Sequence, residues 1–258
     1  MRHAIVFVGA GPGDPELITV KGRRLIEEAD RIVYAGSLVP ERLLAARKPG
    51  AEIFDSAPLT LTETHAFLLE GYRAGLRVVR LHTGDPGLYG AVREQMDLLD
   101  RDGVPYEVVP GVTAAFAAAA ALKRQLTLPE VSQTVIFTRC SGRTPVPERE
   151  SLQSLAAHRS TLAIYLSVHH LDRVVEDLLV HYPRETPVVV AYRVGWPDER
   201  LVQGTLETIV DRVRSEGIAR QALILVGEVL EIGRQAPRSK LYDAGFEHGF
   251  RPGRTRGD

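Results

Sequence analysis

The sequence predicts an α/β protein of two domains, each with a mostly parallel sheet flanked by helices. Three observations predict it. Short apolar runs rich in β-branched residues recur along the chain, and the first, Ala4-Ile-Val-Phe-Val8, reads as a strand buried on both faces. Helical patterns alternate with these runs. The alternation pauses around residues 125–132, where Pro129 and polar residues interrupt it, and then a second set begins.

Each element has a local reason. Asp14-Pro15-Glu16 predicts a helix running to about Ala29, because Asp caps, Pro suits the first turn and Glu suits the positive end of the dipole. Further strands are expected at residues 31–34, 52–54, 77–82 and 106–109, with helices at 41–47, 62–74, 91–101 and 113–122. Gly75 is a left-handed cap for the helix at 62–74. The second set comprises strands at 135–138, 161–166, 188–193 and 222–226, with helices at 149–157, 171–181 and 206–215. The pattern divides the chain into domains at 1–124 and 125–235. Residues 236–258, rich in Arg, Gly and Pro, are expected to be a disordered or loosely packed tail.

Composition narrows the function classes. The 258 residues suffice for two cores, and 44% apolar with 25% charged residues is ordinary for a soluble protein. A formal net charge of −1 lacks the basic excess of a general nucleic-acid binder. Cys140 is the only cysteine, so neither an intrachain disulfide nor a structural zinc site can be built from thiolates. The eight histidines show no metal-ligand spacing, and no bound metal is expected. No apolar run reaches the roughly 18–20 residues that span a bilayer. The first residues read as a strand, and the protein is expected in the cytoplasm, without nucleic-acid or membrane partners.

Three glycine loops carry the chemistry. Gly9-Ala-Gly-Pro-Gly-Asp14 lies between a strand and a helix, but its glycine spacing is not that of the dinucleotide fingerprint, and Pro12 removes a backbone donor. It reads either as a tight turn or as a loop that a ligand approaches closely. Thr83-Gly-Asp-Pro-Gly-Leu-Tyr-Gly90 follows the strand at 77–82, and Pro110-Gly-Val-Thr113 the strand at 106–109. Asp85 and Thr113 also read as helix caps. In an open parallel sheet, ligands bind beyond the carboxyl ends of the strands, and all three loops occupy that edge. A fourth loop places Arg139 and Arg143 at the start of the second half, where they suit either an acidic substrate or plain solvation.

In this order the loops resemble the tetrapyrrole methylases, and the likeness runs from about Ile5 to Gly227. It rests on Val8-Gly-Ala-Gly-Pro-Gly-Asp-Pro15, Gly84-Asp-Pro86, Pro110-Gly-Val-Thr113 and Gly204-Thr-Leu206. Four segments resemble the branch that acts on corrin precursors: Tyr34-Ala-Gly-Ser-Leu-Val39, His82 to Gly90, Gln133 to Arg139 with Gly142-Arg-Thr-Pro-Val-Pro147, and Trp196-Pro-Asp-Glu199. The resemblance implies two α/β domains with a cleft between them, a homodimer, and S-adenosylmethionine as methyl donor. It implies donor contacts at Pro12, Thr83, Gly84, Asp85, Leu88, Thr113, Ala114, Leu166 and Val194. Gly36 stands where some relatives carry an acidic residue, and Val194 where a smaller residue is usual. No catalytic acid or base is therefore assigned. Tyr89, Arg139 and Arg143 are expected to hold the carboxylate arms of a tetrapyrrole. Another methylase of the same fold, acting on a different precorrin, on diphthine or on ribosomal RNA, and a non-catalytic tetrapyrrole- or nucleotide-binding protein are the alternatives.

Overall fold

In the computed structural model, residues 3–36, 38–231, 239–243 and 245–252 are described. The chain divides into two compact units. One comprises Met1–Ala118 with Arg193–Arg200, the other Ala119–Tyr192 with Leu201–Asp258.

The first unit is built on β1 (Ile5–Gly9), α1 (Val20–Glu28), β2 (Arg31–Tyr34), α2 (Glu41–Leu44), β3 (Glu52–Asp55), α3 (Leu61–Arg73), β4 (Val78–His82), α4 (Val92–Arg101), β5 (Tyr106–Val109) and the start of α5 (Ala114–Ala121). Its sheet has the order β3-β2-β4-β1-β5, and the registered pairs are all parallel. The apolar run of β1 is continuous because both faces are covered. Val6 and Val8 pack with Ile26, Ile32 and Leu81, while Ile5 and Phe7 pack with Val33, Leu68 and Leu99. This matches the reading of a strand buried on both sides.

The helix predicted from Asp14 to Ala29 is broken. Pro15–Leu17 forms one 3-10 turn, capped by the Asp14 carboxylate, and Ile18 is extended. Thr19 then caps α1 afresh, its hydroxyl accepting the Gly22 amide at 3.0 Å. The Thr19 cap competes with a continuous helix and wins. At α3 a capping box starts the helix: Thr60 accepts the Glu63 amide, and the Glu63 carboxylate accepts the Thr60 amide.

The second unit holds β6 (Val135–Arg139), α6 (Leu152–Ala156), β7 (Thr161–Tyr165), α7 (Leu171–Leu179), β8 (Pro187–Tyr192), β9 (Arg200–Thr205, of which Arg200 falls in the first unit), α8 (Ile209–Ser215) and β10 (Ala222–Val226). The order is β6-β7-β10-β8-β9. Strands β6 and β7 are paired in parallel, whereas β10 runs antiparallel to both β7 and β8. This sheet is mixed rather than mostly parallel. The physical reason is simple: β10 is a central strand buried from Leu223 to Val226, and such a run reads the same in either direction. Strand β9 is not predicted from sequence, because its residues are mostly half-buried, its only apolar pair is Leu201-Val202, and it ends in Gly204 and Thr205.

The tail expectation for 236–258 falls partly outside the described residues. Within them, Lys240–Tyr242 forms a 3-10 turn, and the Arg251 guanidinium donates to the carbonyls of Leu241, Asp243 and Phe246. Phe250 is almost fully exposed. Among the described residues, no helix is long and apolar enough to cross a membrane.

Candidate active site

Strands β4, β1 and β5 are neighbours in the parallel sheet, so their carboxyl ends bring the three glycine loops side by side. The loops touch backbone to backbone. Gly11 donates to the Gly84 carbonyl at 3.2 Å, and Gly84 returns a bond to the Gly11 carbonyl at 2.8 Å. A Cβ on Gly111 would lie 2.1 Å from the Gly84 oxygen, and one on Gly9 would lie 2.5 Å from the Gly111 nitrogen. The close approach that these glycines permit is therefore made first by one loop to another.

Asp85 joins the second loop to the third. Its Oδ1 accepts the Gly87 amide and its Oδ2 accepts the Gly111 amide, each at 2.8 Å. A carboxylate has further lone pairs on both oxygens, so this clasp leaves it able to accept from a ligand. Thr83 is exposed, and Leu88, Thr113 and Ala114 are half-buried along the same edge. Tyr89 has φ 54° and is 43% exposed, which keeps its ring at the surface of the loop.

Beneath the second loop, His82 is buried. Its Nε2 has no hydrogen-bond partner among the described residues. Burial, and then the charge of Arg80, push its pKa down to about 3, against the opposing pull of a bond to the Gly90 backbone. The imidazole is neutral in the fold, whereas an unfolded histidine titrates near 6.5. Its contribution is fully present above about pH 6.5 and is lost as the pH falls toward 3, at up to about 1.4 kcal/mol per pH unit. His82→Gln should flatten the fall in melting temperature between about pH 6.5 and 4.5. Parallel curves for the two proteins would contradict this.

The first loop meets the segment Arg193–Arg200, which connects β8 to β9 yet packs within the first unit. The Trp196 indole donates to the Pro12 carbonyl at 3.1 Å. A Cβ on Gly13 would lie 2.2 Å from the Trp196 ring and 2.9 Å from the Val194 carbonyl. Val194 is itself buried, beside Gly13 in space as well as in the expected donor set. The Arg42 guanidinium donates to the carbonyls of Gly13, at 2.9 Å, and Gly195.

The first unit thus brings together Pro12, Thr83, Gly84, Asp85, Leu88, Tyr89, Thr113, Ala114 and Val194. The other three expected residues lie at the carboxyl ends of β6 and β7 in the second unit. Leu166 is 64% exposed with φ 55°. Arg139 donates to the carbonyls of Cys140, Thr144 and Pro145 at 2.8–3.2 Å, so its guanidinium shapes its own loop. Arg143 stands exposed on that loop, and its charge acts on His169, whose ring lies 4.1 Å from that of His170 at a tilt of 46°. Among the described residues, no three of His, Cys, Asp and Glu gather as a metal site.

Comparison with known proteins decides the family. The tetrapyrrole (corrin/porphyrin) methylases match residues 4–210. The chain belongs to the tetrapyrrole methylases. It is 55% identical over 97% of its length to the cobalt-precorrin-4 C(11)-methyltransferase of Methanocaldococcus jannaschii, covering 96% of that protein. The solved structure of a cobalt precorrin-4 methyltransferase is 50% identical, with a TM-score of 0.86 over 88% of this chain and 95% of that one. The uroporphyrin-III C-methyltransferase of Thermus thermophilus, solved with S-adenosylhomocysteine, is 33% identical, with a TM-score of 0.73 over 90% and 96%.

Within this tetrapyrrole methylase, Gly36 has a structural reason. Its amide donates to Asp55 Oδ1 at 2.8 Å, and a Cβ there would lie 2.5 Å from Asp55 Oδ2. The Asp55 carboxylate occupies the space that a side chain at 36 would need. Sequence reasoning did not single out Arg42 or Asp55. The Arg42 acceptors lie 29 and 153 residues away, and Asp55 reaches Gly36 across 19 residues, although it also accepts the Ala57 amide two residues on.

Proposed function

We propose that this methylase transfers the methyl group of S-adenosylmethionine to C-11 of precorrin-4 or cobalt-precorrin-4, a step of cobalamin biosynthesis. The observation that carries this is the 55% identity over 97% of the chain to a cobalt-precorrin-4 C(11)-methyltransferase. The same reading makes it a cytoplasmic homodimer acting on a small-molecule tetrapyrrole.

The bound donor supplies a methyl group on a positively charged sulfur, which an electron-rich ring carbon can attack. The protein's part is positioning. Pro12, Thr83, Gly84, Leu88, Thr113, Ala114 and Val194, all of the first unit, contact the donor, and Asp85 faces its cationic end. The interlocked loops suit this role because mutual hydrogen bonds fix their backbone. A Cβ on Gly84 would be in ordinary contact with Thr113 Cα at 3.8 Å, so the second loop packs against the third beside Asp85. Holding reactants in line can supply on the order of 7–11 kcal/mol of a barrier. Arg143 holds a carboxylate arm of the substrate, with Arg139 fixing the loop that presents it.

Two experiments test the reading. Methyl-labelled S-adenosylmethionine with precorrin-4, with and without cobalt, should place label in the macrocycle; binding of the donor with no transfer to either tetrapyrrole would overturn it. Arg143→Gln should raise KM for the tetrapyrrole about tenfold, the scale of a charge-assisted hydrogen bond, and leave donor affinity unchanged. An unchanged KM would remove Arg143 from the substrate site.

A further inference from the structure

We infer that the segment Arg193–Arg200 is a positioning strap for the donor loop, and that Trp196 and Arg42 are the residues through which it acts. The inference rests on the proposed donor site, because it assigns the strap its effect through Pro12 and Gly13.

The loop of residues 9–14 needs external support. It contains Gly9, Gly11 and Gly13, and Gly11 and Gly13 have φ of 76° and 157°. Glycines give such a loop many conformations of similar energy. Its links to the neighbouring loops fix only its beginning, at Gly9 and Gly11. The second half, Pro12 to Asp14, is fixed from the strap. Trp196 Nε1 holds the Pro12 carbonyl, and the indole lies flush on Gly13. Arg42 bridges the Gly13 and Gly195 carbonyls, so one guanidinium ties loop and strap together. A Cβ on Gly195 would lie 2.7 Å from the Asp14 nitrogen, so the two backbones are also in contact.

The strap is itself held in an uncommon shape. Arg193 has φ 46° and Gly195 φ 79°. A non-glycine residue in that region is unfavourable and persists where its surroundings impose it. Here the surroundings are visible. The Arg193 guanidinium lies 4.2 Å over the Trp196 ring and 3.1 Å from Asp198, and the Glu199 carboxylate accepts the Gly195 amide at 2.7 Å. The sequence Arg-Val-Gly-Trp-Pro-Asp-Glu thus folds on itself to aim one indole N–H at one carbonyl.

A ligand that binds a loop already fixed loses less in ordering it. Removing the strap's hold should therefore weaken donor binding while leaving the transfer step intact once the donor is bound. Trp196 is the only tryptophan in the chain, so its fluorescence reports on this loop alone.

The test uses the full chain. Calorimetry with S-adenosylhomocysteine gives donor-site affinity without turnover. Trp196→Phe keeps an aromatic ring beside Gly13 but loses the N–H, and its Kd should rise about tenfold, the scale of one net hydrogen bond. Arg42→Met should do the same, with Trp196 emission shifting on titration at the weakened Kd. In both variants KM for S-adenosylmethionine should rise, with kcat and the tetrapyrrole KM within about twofold of the parent. A merely structural role would lower the melting temperature and the active fraction, and so kcat, but not this Kd. Parent-like Kd in both variants would overturn the inference. Failure of the parent itself to bind the nucleoside would instead overturn the donor-site reading beneath it.

Discussion

Replacing Asp85 by alanine is expected to lower the affinity for S-adenosylmethionine by tenfold or more and to destabilise the first unit as well. The two effects have separate causes. The carboxylate accepts the amides of Gly87 and Gly111 at 2.8 Å, so its removal leaves two backbone donors to find water. Each bond to a charged group contributes about 1.5–3 kcal/mol, and water reaching this half-buried site offsets part of that. The loss of affinity follows from the missing charge and from the freed third loop, which carries Thr113. Asp85→Asn separates the causes, because an amide oxygen can keep one of the two bonds while the charge is gone. The asparagine variant should retain most of the melting temperature and still bind the donor weakly. Calorimetry and thermal melting of both variants check this. Full donor affinity in the alanine variant would remove Asp85 from the donor site.

Gly111→Ala is expected to be the most damaging single methyl group in the first unit. The added carbon would fall 2.1 Å from the Gly84 oxygen and 2.8 Å from Gly9 Cα. Both neighbours are backbone atoms, and neither can rotate away as a side chain could. Relief requires β1, β4 or the third loop to shift, which breaks the Gly11–Gly84 pair of hydrogen bonds. Overpacking typically costs about 1–3 kcal/mol, and the lost loop bonds add to it. Gly75→Ala provides the contrast, since open space surrounds that position and only its φ of 77° opposes a side chain. Denaturant unfolding should place Gly111→Ala well below Gly75→Ala in stability, with donor binding lost only in the former. Equal stabilities would contradict the interlocked-loop description.

What the sequence made legible was whatever is local. The buried run of β1, the Asp14 cap, Gly75 and the three loops on one sheet edge were readable because strand burial, capping and turn chemistry act over a few residues. The Ile18 break was not, since Thr19 and Asp14 are both good caps and spacing cannot rank them. Strand β9 was hidden because its two apolar residues, Leu201 and Val202, between Arg200 and Gln203 are too short a run to mark an edge strand. Strand β10 was found, but its direction was not, because a strand buried on both faces has no polarity in its pattern.

The site divides the same way. The residues of the three glycine loops sit in a common edge because sheet topology guarantees it. Arg139 was expected on the substrate, and the structure shows its guanidinium on its own loop carbonyls. A loop arginine reads the same in both roles until its acceptors are seen. The Arg42 and Trp196 contacts join positions far apart in the chain, and only the fold brings them together.

The position of the transferred methyl group tests the proposed activity most directly. S-adenosylmethionine carrying a 13C-methyl group, incubated with the protein and precorrin-4 or its cobalt form, should give a product whose carbon NMR spectrum shows one enriched methyl on C-11. Enrichment at any other ring carbon, or an unlabelled macrocycle from a protein that binds the donor, would contradict it.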